Sequence, residues 1–364
     1  MIDFRHNDKI VDSVTFSPDG KFIATTEDGL MRIWNLSGEK FDEKKSVDDA
    51  SFSPDGKFIA TVEQGTNHQK LSFWDWTKQR LTHFKEGFVY HVSIRQSISF
   101  SPDSKLLLTP GIDHTIQLRD LSGNVVKEFK IDDNFIIGNM RFSADGKQIV
   151  VIGNALGADP DKTSLNIYDY EIVQLWKLSG EKVSEFKIPK KQRGMDISIN
   201  SDGIVIATTI IDEGDKDYGT VWLWKLSGEK LTEFKPYQGT VKTVRFSPNG
   251  KIFATSGIDS TIKLWNLKGQ QVGEFKLSQN NSKLKAKENF YPYNIVEENR
   301  PRNYVNWMSF SPDGKMLAAA CNDGMIRLFV VDDLEDMLER GCNWLDDYFV
   351  TRPDMRKEIC PENK

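Results

Sequence analysis

The chain has 364 residues and a formal net charge of −5, with 48 Lys and Arg set against 53 Asp and Glu. That balance excludes the global basic field that draws a protein onto nucleic acid or anionic lipid, and no apolar run approaches the roughly 18 residues of a membrane span. Three scattered cysteines, Cys321, Cys342 and Cys360, are too few for a disulfide scaffold or a zinc site with paired ligands. The N-terminus, MIDFRHNDK, is charged from its third residue, so the chain reads as cytoplasmic; it is also expected to be a monomer without cofactor or metal.

A five-residue unit, Phe-Ser-Pro-Asp-Gly or close to it, recurs along the chain. It appears at Phe16 to Gly20, Phe52 to Gly56, Phe100 to Ser104, Phe142 to Gly146, Ile199 to Gly203, Phe246 to Gly250 and Phe310 to Gly314. Periods of about 40 to 50 residues override the length-based expectation of several domains and make residues 1–331 one repeat domain, followed by a separate tail over 332–364.

The sixth copy shows what one unit is. Val241 to Phe246 reads as a strand, Ser247 to Gly250 as a tight turn, and Lys251 to Ser256 as a second strand. Pro248 presets φ in that turn and Gly250 supplies its positive φ. Thr261 to Leu267 forms a third strand, Lys268 and Gly269 a turn, and Gln271 to Lys276 a fourth. The third strand is apolar on both faces, as expected where one sheet is stacked between two others. The fourth, with its Glu-Phe-Lys string, alternates polar with apolar and suits a wetter outer rim.

On these residues the chain resembles the WD-repeat (WD40) β-propeller family, in its bacterial type. The resemblance covers about residues 1–331, with Trp34, Trp74, Trp176, Trp224 and Trp265 at the third-strand tryptophan position and Arg119 and Phe329 replacing it in two copies. It implies an all-β fold of seven four-stranded antiparallel blades around a central channel. It also implies a hydrogen-bonded tetrad of Trp, Ser or Thr, Asp and His as structural glue. Thr25, Asp28 and Trp34 match in the first copy and Thr255, Asp259 and Trp265 in the sixth. Only His91 lies at the family's distance, ahead of Phe100, and its copy carries Arg119, so no copy holds all four.

Ile2 to Arg5 resembles a fourth strand, and the seventh copy lacks one after Val331, so the N-terminus is expected to close the ring. Closure removes the exposed edge that an open end would leave. The turns between first and second strands and between third and fourth keep their length. The second-to-third connections swell instead, at Glu63 to Lys70, Gly153 to Glu171 and Asp212 to Gly219, and so does the link Leu277 to Asn303. All of these fall on one face, called the top in this family, and loops on rigid scaffolds carry function. The candidate partner-binding residues are therefore Tyr168, Tyr170, Asp215, Asp217, Tyr218, Tyr291, Tyr293, Arg300, Arg302 and Tyr304, since Tyr and Arg anchor interfaces. The alternative for the rings is that they pin the loops to the scaffold.

Asp215-Lys-Asp217-Tyr-Gly219 superficially resembles a calcium loop but lacks the twelfth-position Glu, and is read as a solvated acidic loop. Residues 332–349 carry apolar side chains at helical spacing, interrupted by Gly341, and resemble the helical tail after the last blade of bacterial WD-repeat proteins. The functional expectation is a non-catalytic scaffold that holds a protein or peptide partner on the top face. The alternatives are the ligand-sensing propeller of a bacterial signalling NTPase or protease assembly and, less favoured, a propeller hydrolase. Against catalysis, none of the five histidines sits in a nucleophile or metal motif, and no GxSxG or HExxH string occurs.

Overall fold

The computed structural model describes residues 2–331 apart from 7–8, 64–68, 77–79, 90–97, 112–114, 133–134, 144, 157–167, 189–191, 201–204, 213–218, 237–240, 258 and 278–303. Every regular element among the described residues is a β-strand. Six antiparallel sheets are each built from four consecutive strands, spanning 13–45, 47–89, 99–130, 135–188, 192–234 and 241–276; these are blades one to six. A further sheet is composite. Val305–Phe310, Met316–Cys321 and Met325–Val330 are joined at the edge by Ile2–Arg5, which pairs Ile2 with Leu328 and Arg5 with Met325. The expected seven-bladed propeller is corrected accordingly. Six blades are self-contained and the remaining sheet is shared between distant parts of the chain, while the described residues hold no helix and the tail 332–364 lies outside them.

The sheets form a circuit. Ser13–Phe16 of blade one lies against Val305–Phe310, which lies against Val241–Phe246, which meets Gln192–Ile199. In the other direction Ser13–Phe16 meets Val47–Phe52, then Ser99–Phe100, then Phe135–Phe142, and Lys182–Ile188 completes the round against Gln192–Ile199. The apolar core follows from this geometry. It is divided into clusters that each straddle two neighbouring sheets, such as Ala254, Ile262 and Leu264 with Met308, Leu317 and Phe329, or Val14, Ile23 and Trp34 with Ala318, Ile326 and Leu328. A third strand apolar on both faces is thus filling two seams at once, and each fully buried aliphatic side chain stabilises by roughly 1.5–3 kcal/mol.

The turn unit is legible atom by atom. In blade one the Ser17 hydroxyl donates to Asp19 Oδ1 at 2.6 Å, Ser17 Oγ accepts from the Phe22 N–H, and the Gly20 N–H closes the turn on the Ser17 carbonyl at 2.9 Å. Successive turns nest, with the glycine of one over the proline of the preceding blade, as Gly56 sits over Pro18. The third copy, which has Ser104 in place of glycine, adopts a positive φ of 58° there. It gains an inter-blade bond in exchange, because Ser104 Oγ accepts from the Asp55 N–H at 2.9 Å.

The fourth strands alternate between exposed and half-buried residues, as expected of an outer rim. Their phenylalanines also meet tryptophans: Phe234 lies 4.6 Å, centroid to centroid, from Trp265 of the next blade, Phe186 5.1 Å from Trp224, Phe129 5.5 Å from Trp176, and Phe4 5.3 Å from Trp34. Gly269 shows why a glycine ends the turn before the fourth strand. Its φ is +76°, and a Cβ there would come within 3.0 Å of the Phe234 ring. The seam between blades one and two departs from this pattern. Blade one carries Lys44 at the phenylalanine position, opposite Met31 in register, and its ammonium lies 5.4 Å from the Trp74 ring while pairing with Glu63 at 2.6 Å. Burial opposes the charge on Glu63, but the Lys44 contact and the Ser72 hydroxyl hold its carboxyl below the usual range.

Candidate functional site

The tetrad positions show how far the resemblance reaches. Trp34 Nε1 donates to Thr25 Oγ1 at 2.8 Å, and Trp265 Nε1 to Thr255 Oγ1 at 2.9 Å, each pair fully or almost fully buried. The two aspartates stand apart from these bonds. Asp28 has φ 42° and an exposed carboxylate that meets Lys9 at 2.8 Å, while Asp259 organises its own turn by accepting from the Thr261 N–H and hydroxyl. His91 lies outside the described residues.

A histidine that the spacing rule passes over is nevertheless present in blade one. His6 is buried beside Trp34, ring centroids 5.5 Å apart, with its Nδ1 against the Glu27 carboxylate and within 2.9 Å of Arg32 Nη1. The residue that partners it is Glu27, one place before the aspartate that the pattern names. In blade three, where arginine replaces tryptophan, the guanidinium is the donor. Arg119 sends Nε to Thr109 Oγ1 at 3.3 Å and Nη1 to the Gly123 carbonyl at 2.9 Å, and burial pulls its pKa down against the support of Glu128. In blade four Trp176 Nε1 donates to Gln174 Oε1. These groups hold strands together.

Of the candidate partner-binding residues, Asp215, Asp217, Tyr218, Tyr291, Tyr293, Arg300 and Arg302 lie outside the described residues. Tyr168 and Tyr170 are strand residues rather than loop residues: Leu156 pairs with Tyr168 and Ala155 with Tyr170, so the hairpin of blade four runs further than its length variation suggests. Tyr304 sits just before the inner strand Val305–Phe310. Its N–H donates to Asn322 Oδ1 at 2.9 Å, its carbonyl accepts from the Asn322 N–H, and the Lys242 ammonium lies 5.1 Å from its ring. It is half-buried and pinned to the scaffold. The strand ends at Glu63 and Gln69, Leu156 and Tyr168, Asp212 and Gly219, and Lys276 and Val305 all lie at the same end of their sheets, opposite to the Ser-Pro-Asp-Gly turns.

The inner strands enclose a channel cavity of about 380 Å³. Its lining comes from alternate residues of the first strands. Immediately before the Phe or Ile of each turn unit stand Thr15, Ser51, Ser99, Ser198 and Ser309 in five copies, and Arg141 and Arg245 in the other two. Asp196 accepts from the Thr243 hydroxyl, the Val244 N–H and Arg245 Nη1, and the Arg245 guanidinium lies 3.8 Å from the Trp307 ring centroid. Burial, and next the nearby charge of Arg245, bring the Arg141 pKa down to about 10, against the pull of Asp196 and Asp49. Sequence reading missed this site although its signal is present, since two arginines interrupt an otherwise hydroxyl-bearing column. Among the described residues no group of His, Cys, Asp and Glu is placed to hold a metal ion.

No curated protein matches the chain. Residues 3–35, 228–266 and 296–329 match the family of the WD domain, G-beta repeat. The first segment begins within the fourth strand Ile2–Arg5 and the second just before Lys230–Phe234, and both end just past the tryptophan of the following blade, so the repeat of the sequence is offset from the blade by one strand. The chain thus carries WD40 repeats in a β-propeller.

Proposed function

We propose that the protein is a non-catalytic platform that holds a protein or peptide partner on the face carrying its long connections. The observation that carries this reading is the one-sided arrangement of those connections on a propeller with WD40 repeats, a fold that commonly mediates protein–protein interaction. The opposite face consists of short nested turns, whose side chains are largely spent on one another. Tyr218, Tyr293 and Arg302 are the residues proposed to anchor the partner, by large contact area and charge-assisted hydrogen bonds.

The test compares capture from native cell extract by the intact chain and by a Tyr218→Ala/Tyr293→Ala/Arg302→Ala variant whose melting curve shows it folded. Partners held by the first and lost by the second are expected. Identical captures would move the binding surface to the turn face or to the segment after residue 331. A ligand-sensing role is the second reading, favoured by the polar, arginine-bearing channel.

A further inference from the structure

The channel chemistry goes beyond a docking platform. Arg245 is only 8 % exposed, and its Nη1 is committed to Asp196 and to the Val244 carbonyl, yet its buried Nη2 has no acceptor. Asp196 is already engaged by the Thr243 hydroxyl and the Val244 N–H, and Trp307 covers one face of the guanidinium. A buried N–H without an acceptor is unfavourable and calls for an oxygen in the cavity that it faces. Arg141 lines the same cavity, near enough for the two guanidinium charges to disfavour one another. An anionic oxygen answers both conditions at once, where a water answers only the first.

The anion that fits is a carboxylate. Its two coplanar oxygens match the guanidinium fork, and each carboxylate group brings one negative charge to a wall that also contains Asp49, which repels the doubly charged group of a phosphate dianion more strongly. The space of about 380 Å³ accommodates a small organic acid or the terminal residue of a peptide. We infer that the central channel is a carboxylate-binding site, in which Arg245 Nη2 and the Arg141 guanidinium hold one carboxylate among the channel hydroxyls.

The test is calorimetric titration of the full chain with succinate, with inorganic phosphate, and with trialanine ending in either a free carboxylate or an amide. Saturable binding of succinate, of the free-acid tripeptide, or of both is expected, and each of Arg141→Gln and Arg245→Lys should weaken it by about tenfold or more. Lys105→Gln, at an exposed turn, should leave it unchanged. Melting curves identify a variant that fails to fold, and Arg141→Gln carries the test should Arg245→Lys do so. If the free-acid tripeptide binds more tightly than succinate and its amide is silent, the ligand is a chain terminus; if succinate alone binds, it is a free acid; both support the site. No saturable carboxylate binding, phosphate binding without succinate binding, or succinate binding unaltered in the folded arginine variants would overturn it. Because none of these residues lies in the long connections, this result stands apart from the partner-capture experiment.

Discussion

Blade six and the composite sheet have the same strand layout but hold their third strands by different chemistry. In blade six, Trp265 reaches back across the sheet to Thr255 with a neutral hydrogen bond, and the turn aspartate Asp259 stays in solvent. In the composite sheet Phe329 takes the tryptophan position and stacks on Phe275 at 4.8 Å, Ala319 takes the threonine position, and no hydrogen bond of that kind is available. The turn aspartate has moved inward instead. Asp323 is buried and forms a two-pronged pair with the fully buried Arg327, with Asp3 of the closing strand 4.0 Å from Arg327 Nε. Burial works against the Arg327 charge, but Asp323 holds its pKa above the usual arginine range. The difference teaches that the same layout can be secured by a neutral hydrogen bond across the sheet, as in blade six, or by an ion pair between the second-to-third turn and the sheet, as in the composite sheet.

The largest effect that would break the comparison is loss of one member of the ionic tie. Asp323→Asn leaves Arg327 charged in a site with no solvent, and should destabilise by about 3–5 kcal/mol in urea unfolding. Replacing both partners, by Arg327→Met and Asp323→Leu, should recover most of that. An Asp323→Asn variant as stable as the parent would mean that the pair does not hold the sheet.

Next in size is the neutral tie. Trp265→Phe brings blade six towards the composite arrangement, removing the donor to Thr255 and part of a buried ring, for an expected loss of about 1–3 kcal/mol. Combined with Thr255→Val, the losses should fall short of additive by about 0.5–1.5 kcal/mol. Strict additivity would show that the hydrogen bond contributes nothing beyond packing.

The smallest effect is a pH dependence. The composite turn carries Asp313 where blade six has Asn249, and both accept from the serine at the start of the turn, Ser311 or Ser247. The Ser311 hydroxyl, outweighing partial burial and joined by the Lys315 N–H, lowers the Asp313 pKa from its ordinary 3.8. A folded-state value below the unfolded one stabilises above about pH 4 and loses that stabilisation as pH falls through the folded value. Asp313→Asn copies blade six and should flatten the decline in melting temperature between pH 5 and pH 2, values chosen to bracket about 3.8. A decline as steep as that of the parent would show that this carboxylate does not contribute to it.

What could be read directly from the residues was local. Ser-Pro-Asp-Gly strings specify a turn through groups at most five residues apart, and the strands Val241–Phe246 and Gln271–Lys276 fall where the pattern put them. Alternation along the fourth strand suited an outer rim, but it does not reveal that Phe234 meets the tryptophan of the next blade. His6 escaped for a related reason: its distance from Phe16 differs by one residue from the family spacing, while its burial depends on Glu27, Arg32 and Trp34 meeting in space.

By itself, then, the sequence determined the strand repeat, the turn chemistry and the side on which connections lengthen, because these rest on interactions between near neighbours or on period-two patterning, while the closing role of Ile2–Arg5 was legible from the repeat, as a fourth strand spare at one end and lacking at the other. Only the tertiary structure decided which side chains share a seam, which charges are buried and that Arg141 and Arg245 face one cavity. Those residues are 104 positions apart in a chain whose circuit brings distant first strands to a common axis, and no local pattern encodes that meeting.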